Sequence, residues 1–331
     1  MSATPDHRLP LTIVTGFLGS GKTTLIRRLL GHPRAANAAV IVNEFGEVGI
    51  DHHLFRKTEE RITLLRDGCA CCARRDDLVV ALKDLLRRVD AGEQLRIERV
   101  ILETTGLADP APILHTLVAD PVLSRRYRVD RTIASLDAVA GATNLDRYGE
   151  AVRQVAAADV VVLTKGDLAA ADALKTLSDR VATLNPAATI LTAERGQIDA
   201  GIVFDDDIAM VVPRSASRDH TSRAPPLHGE PGGVTSLTMT FAEPLDWRML
   251  GLWLTMLLHR HGERILRVKG LLDTGEEGPL LLEGVQHVVH APRHLAAWPD
   301  ADRRTRLVFI LREIDPGRVR QSLDAFRTLV E

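Results

Sequence analysis

Residues 16–24 read Gly-Phe-Leu-Gly-Ser-Gly-Lys-Thr-Thr, a fit to the pattern G-x-x-x-x-G-K-[ST]. The apolar run Leu11–Thr15 precedes it, and Leu25, Ile26, Leu29 and Leu30 follow at helical spacing. A glycine-rich turn in that setting commits the chain to a strand–loop–helix unit whose backbone N–H groups can gather around a phosphate. Gly16, Gly19, Ser20 and Gly21 would form the cradle. Lys22 can reach the β- and γ-phosphates, Thr23 can ligate Mg²⁺, and the helix N-terminus adds its dipole. A turn of this kind that binds nothing is the weaker reading, because both flanks have the required character. A nucleotide-binding protein is expected.

Further strand-like runs lie at Ala39–Asn43, Arg99–Glu103, Arg131–Leu136, Asp159–Thr164 and Thr189–Thr192, with helical patterns between them. The clearest helix puts Leu78, Ala81, Leu82, Leu85, Leu86 and Val89 on one face and ends before Gly92. Alternating strands and helices predict an α/β fold, a mainly parallel sheet covered by helices on both sides. Ligands in such folds bind beyond the carboxyl ends of the strands, so 15–23, 43–51, 103–109 and 164–167 should share one rim. The pattern changes after Val212. We expect a first domain over 1–214, a flexible linker over 215–233 rich in Pro, Gly and Ser, and a smaller α+β domain with an antiparallel sheet over 234–331. In that domain Val234–Phe241, Ile265–Leu271, Leu280–Val289 and Leu307–Leu311 read as strands, and Leu245–His259 and Pro316–Val330 as helices.

Three segments carry further chemistry. In Val100-Ile101-Leu102-Glu103-Thr104-Thr105-Gly106, an apolar strand ends in an acid near a glycine. Glu103 would hold Mg²⁺, usually through water, and the Gly106 N–H would sense the γ-phosphate. In Thr164-Lys165-Gly166-Asp167, an Asp at a strand end can accept both N1–H and N2–H of guanine, a pair of donors that adenine lacks. Ala193, past the sixth strand, could offer a backbone N–H to guanine O6. In Gly68-Cys69-Ala70-Cys71-Cys72, three thiols in four positions suit Zn²⁺, Co²⁺ or Cu⁺. With no second C-x₂-C or H-x₃-H, an open, exchangeable site is expected, completed from Glu47, Asp51, His52, His53 or His115. A redox role for Cys71 and Cys72 ranks lower, because vicinal disulfides are strained.

The totals exclude other classes. A net charge of -2 gives no bulk attraction for nucleic acid or an anionic membrane. No run approaches the ~18 apolar residues of a transmembrane helix, and the start lacks a signal peptide's apolar core. All three cysteines lie between Cys69 and Cys72, which is no disulfide framework, so a cytoplasmic protein is expected.

As an ordered set, the segments 16–24, 42–51, 68–72, 101–110 and 163–167 resemble the CobW-like P-loop GTPases, relatives of the nickel-insertion GTPases UreG and HypB. ILRVKG at 265–270 and GVQHV at 284–288 resemble that family's C-terminal domain. The resemblance implies GTP-dependent handling of a transition metal, Zn²⁺ or Co²⁺, for a client metalloprotein, and leaves self-association open. By carry-over, Lys22, Thr23 and Thr24 serve phosphate and Mg²⁺, Glu103 is the acid of its strand, and Asp167 reads guanine. Cys69, Cys71, Cys72 and Glu47 are then the candidate metal ligands. Thr164 stands where the family more often has Asn, and the linker has only His220 and His228 in place of a long His-rich stretch. No convincing arginine finger or water-positioning glutamine stands out, Arg74 and Arg75 being the candidates, so slow intrinsic turnover, stimulated by a client, is expected. Two rival readings are a non-catalytic zinc store or sensor and, less favoured, an ATP-dependent small-molecule kinase.

Overall fold

The computed structural model describes residues 6–42, 63–64, 75–92, 96–194, 197–204, 219–223 and 233–330. Its first sheet has seven parallel strands: β1 (Leu9–Gly16), β2 (Ala38–Val42), β3 (Thr63–Leu64), β4 (Arg99–Glu103), β5 (Tyr127–Asp137), β6 (Val160–Thr164) and β7 (Thr189–Thr192). They lie in the order β3-β2-β4-β1-β5-β6-β7. Helices α1 (Lys22–Leu30), α2 (Arg75–Asp90), α3 (Pro110–Ala119), α4 (Pro121–Arg126), α5 (Gly141–Arg147), α6 (Gly149–Ala157), α7 (Ala171–Leu184) and α8 (Ala200–Val203) accompany them. Alternation along β1 sends Leu11 and Ile13 into the core with Leu82 and Leu85 of α2 and Leu114 of α3, while Val14 packs with Ile26 and Leu29 of α1. Apolar residues are thus needed on both faces, which is why these strands read as unbroken Val/Ile/Leu runs. The expected P-loop NTPase architecture is present.

The second sheet is antiparallel, built on β9 (Val234–Phe241), β10 (Ile265–Leu272), β11 (Leu280–Val285) and β14 (Thr305–Arg312). Strands β8 (Asp219–Arg223), β12 (Val288–Val289) and β13 (Arg293–His294) pair at its margins. One face carries α9 (Trp247–His261) and α10 (Pro316–Val330), with Trp253 edge-on to Phe309 at 6.0 Å. Two elements differ from expectation. Residues 280–289 form a hairpin rather than one strand, because the chain turns at Gln286 with φ 51° and His287 lies 3.0 Å from the Leu258 carbonyl. Uniform apolar spacing on both arms conceals that turn. Within the stretch expected to link the domains, 219–223 adds a strand antiparallel to β9.

The other face of this sheet meets the first domain. Val234, Leu266 and Ile310 join the core formed by α6, α7, β5 and β6, and Leu271, Leu281 and Val308 pack with Ala187. No helix of the described residues is long and apolar enough to cross a membrane.

Candidate nucleotide site

Strand β1 delivers the phosphate-binding loop beside β5. Gly16 has φ 145°, and a Cβ there would stand 2.3 Å from Ser135 Oγ, so β5 admits nothing larger. The Ser20 and Ser135 hydroxyls lie 2.7 Å apart in the core, and the Ser20 N–H donates to Phe17 O at 3.1 Å. Gly19 and Gly21 have φ of 71° and 89°, which lets the loop curl into an anion nest before α1 begins. Lys22 donates from Nζ to Gly16 O at 3.0 Å and Phe17 O at 3.4 Å, so its charge lies across the mouth of the loop. Thr24 is exposed on the same turn.

Glu103 ends β4 next to β1, 3 % exposed, and its Oε1 accepts the Thr23 hydroxyl at 2.9 Å. A carboxylate and a hydroxyl so joined are hard oxygen donors of the kind Mg²⁺ takes, so these residues fit that ion. Beyond Glu103, Thr104 turns inward: its N–H donates to Val14 O at 2.9 Å and its hydroxyl to Thr15 Oγ1 at 2.9 Å. Gly106 then lies against Leu18 of the phosphate loop, with 2.9 Å between an added Cβ and the Leu18 Cα.

The 164–167 segment is bolted to the same loop. The Thr164 hydroxyl donates to Ser20 O at 2.7 Å, a bond that gives threonine a structural task at this position. Lys165, at φ 57°, donates to Gly19 O at 3.0 Å and pairs with Asp137 Oδ2 at 2.6 Å. Asp137, at the end of β5, also accepts the N–H groups of Val139 and Ala140 at 2.8 and 3.2 Å. Burial pushes its carboxyl up, but Lys165 and these N–H donors outweigh that and hold the pKa below the ordinary range. Asp167 is exposed on the outer side of the turn. The Ala193 N–H, expected to face guanine O6, donates to Leu163 O at 2.7 Å, and its carbonyl takes the Gly166 N–H at 3.1 Å. Ala193 therefore steadies the 164–167 turn. Cys69, Cys71, Cys72 and Glu47, like Asp51, His52 and His53, lie outside the described residues. His115 is described, in α3. No group of three or more His, Cys, Asp or Glu suited to a metal occurs among the described residues.

Residues 10–192, which span β1 to β7, match the CobW/HypB/UreG nucleotide-binding domain. The chain belongs to that family. Residues 234–327 match the cobalamin synthesis protein cobW C-terminal domain. Among relatives, the zinc chaperone YjiA of Escherichia coli is 34 % identical over 323 residues, covering 96 % of this chain and 99 % of YjiA. The zinc chaperone CobW of Pseudomonas aeruginosa is 32 % identical over 351 residues, with 96 % and 91 % covered. The fold is similar to the crystal structure of the Zn(II)-bound YjiA GTPase from E. coli, with a TM-score of 0.70, 30 % identity, and 96 % of this chain and 99 % of that one covered. Within a CobW-family protein, the site has contributors that motif reading does not name. Asp137 and Ser135 tie β5 to the loops, and Gln154 of α6 braces the Gly106 turn. Asp137 is foreshadowed as an acid at a strand's end, and Gln154 as a polar residue amid the apolar face Ala151, Val152 and Val155.

Proposed function

We propose that this CobW-family protein binds and hydrolyses GTP, and that the cycle governs a transition-metal ion, Zn²⁺ or Co²⁺, carried by Cys69, Cys71 and Cys72 with Glu47 and passed to a client metalloprotein. The observation that carries the nucleotide half is the Glu103–Thr23 pair at 2.9 Å beneath the phosphate loop. Relatives named as zinc chaperones support the metal half. Mg²⁺, when bound by Thr23 and Glu103, would supply positive charge to the β- and γ-phosphates. Lys22 moves its ammonium from the Gly16 and Phe17 carbonyls onto those same oxygens, so loop carbonyls and substrate exchange one donor. In this reading the N–H of Gly106, on the turn packed against Leu18, senses the γ-phosphate. Asp167 selects guanine by accepting two parallel N–H bonds.

Metal and nucleotide are coupled reciprocally in this reading: GTP must tighten metal by the same factor by which metal tightens GTP. Zn²⁺ and Co²⁺ titrations with GDP or a non-hydrolysable GTP analogue, on wild type and Cys71→Ala, provide the test. Tighter Zn²⁺ binding with the analogue, lost in Cys71→Ala, is expected; equal affinity in both nucleotide states would sink the coupling. Base selection has its own check. Asp167→Asn places an amide donor opposite the C2 position, which suits the C2 carbonyl of xanthine and not the amino group of guanine. GTP affinity should fall by roughly tenfold or more, the scale of about 1.4 kcal/mol, and xanthosine triphosphate affinity should rise. Unchanged GTP binding by Asp167→Asn would remove Asp167 from the base site.

A further inference from the structure

The segment from Gly106 to Asp109 is gripped from three sides. In front lies the phosphate loop, so close that Cβ at Gly106 would meet Leu18 Cδ2 at 2.5 Å. Behind lies α6, where Gln154, 1 % exposed, donates from Nε2 to Gly106 O at 3.1 Å and to Ala108 O at 3.0 Å. A neutral side chain that gives two N–H bonds to two carbonyls must be an amide, since hydroxyls have one proton. At the segment's end, Asp109 caps α3 through Oδ1, accepting the Ala111 N–H at 3.0 Å. Its Oδ2 takes Arg153 of α6 at 3.2 Å and the Gln286 amide at 3.4 Å. Gln286 belongs to the C-terminal domain, at the turn between β11 and β12. The same domain also holds the far end of α6. Arg267 of β10 donates to Ala157 O; from the first domain itself, Asn185 after α7 donates to the Val155, Ala156 and Ala158 carbonyls at 2.8, 3.2 and 2.9 Å.

We infer that Gln154 is a positioning residue for the γ-phosphate-sensing turn, and that Asp109–Gln286 connects that turn to the C-terminal hairpin, which thereby responds to the nucleotide's state. The inference rests on the GTPase reading above. Fixing the carbonyls of Gly106 and Ala108 restrains the peptide planes that follow the sensing N–H, so Gln154 sets where that N–H waits. A γ-phosphate that draws Gly106 forward must either carry residues 106–109 along as a unit or break the bonds to Gln154. In the first case, the one inferred here, Asp109, three residues on, changes its relation to Gln286. A brace with only a packing role would stabilise the turn without reporting on the nucleotide.

The test uses the full chain and the variants Gln154→Met, which keeps length and removes both donors, and Gln286→Gly, whose backbone accepts φ 51° without strain. Binding of a fluorescent non-hydrolysable GTP analogue is titrated directly, turnover is followed by phosphate release, and amide exchange over 284–289 is compared between GDP and the analogue. Wild type should show a nucleotide-dependent exchange difference in the hairpin, and both variants should lose it. Gln154→Met should also lower kcat by about tenfold, within the range for a small misplacement of a reacting geometry, with analogue affinity within about threefold. The inference is overturned if hairpin exchange is identical with GDP and analogue in wild type, if the difference survives in Gln286→Gly, or if Gln154→Met weakens affinity and kcat in proportion. Should Gln154→Met not fold, the Gln286→Gly result decides alone. Failure of wild type to bind the analogue in the direct titration would defeat the GTPase reading itself and this inference with it.

Discussion

Lys22→Ala is expected to reduce GTP turnover by about a hundredfold or more, the loss of roughly 2.7 kcal/mol of transition-state stabilisation that removal of one aligned donor brings. The Lys22 ammonium sits within the loop, bonded to Gly16 O and Phe17 O at 3.0 and 3.4 Å, so little reorganisation separates it from a bound phosphate. Its removal takes a donor from two loop carbonyls, a local change that should leave the fold in place. Phosphate release and a thermal melt, measured on the same samples, check this. Turnover within about threefold of wild type, with an unchanged melt, would contradict a catalytic role for the loop. A wild type that releases no phosphate beyond background would favour the non-catalytic metal store.

Arg267→Met should destabilise the protein by about 3 kcal/mol, the lower end of the range for stranding one partner of a buried ion pair. Asp159, 7 % exposed at the foot of β6, accepts the Thr132 N–H at 2.8 Å and the Arg267 guanidinium from the other domain. Lys269, fully buried, stands 3.7 Å away and would remain, which is why the lower end applies. Burial pushes the Asp159 carboxyl up, yet Arg267, Lys269 and the Thr132 N–H more than offset this and hold it well below the ordinary 3.8. For Lys269 burial prevails, and its ammonium is pushed down despite Asp159. Because Asp159's folded pKa is depressed, its contribution is complete above the unfolded value and is lost as pH falls from about 4 through the folded pKa. Urea unfolding from pH 7 down to pH 3 should therefore show wild type losing stability below about pH 4, with a flatter profile for Arg267→Met. The double variant Asp159→Leu/Arg267→Met should not recover the loss, since it leaves the buried Lys269 ammonium and the Thr132 N–H without their carboxylate. Equal acid sensitivity of wild type and Arg267→Met would show that this pair does not hold the domains together.

Most of the nucleotide site was legible because each motif is local. Gly16–Thr23 needs only a strand before it and a helix after it, and both have apolar periods readable over about ten residues. Glu103 and Asp167 were legible as acids closing apolar strands, and the parallel pairing of β1 with β4 and of β5 with β6 brings those strand ends to one rim. The 280–289 hairpin was not, because neither Gln nor His signals a turn in the way Gly, Asn or Pro does, and the positive φ of Gln286 is imposed by its surroundings. Thr164 stood out only as a departure from the family's usual Asn, and that its hydroxyl donates to Ser20 O, a partner 144 residues away, was not legible.

Spacing and residue type therefore determined the strand–loop–helix unit at Gly16–Thr23, the acid that ends β4 and the order of a parallel-sheet domain followed by an antiparallel one, since each depends on neighbours within a turn or a strand. Tertiary structure alone decided that β5 makes Gly16 obligatory, that Gln154 braces the Gly106 turn, and that Asp159, Arg267 and Lys269 join the domains. Those contacts join residues 46 or more positions apart and depend on strand order and on which sheet face is covered. A side chain's burial and its partner are set by elements arriving from elsewhere in the chain, and no local window records them.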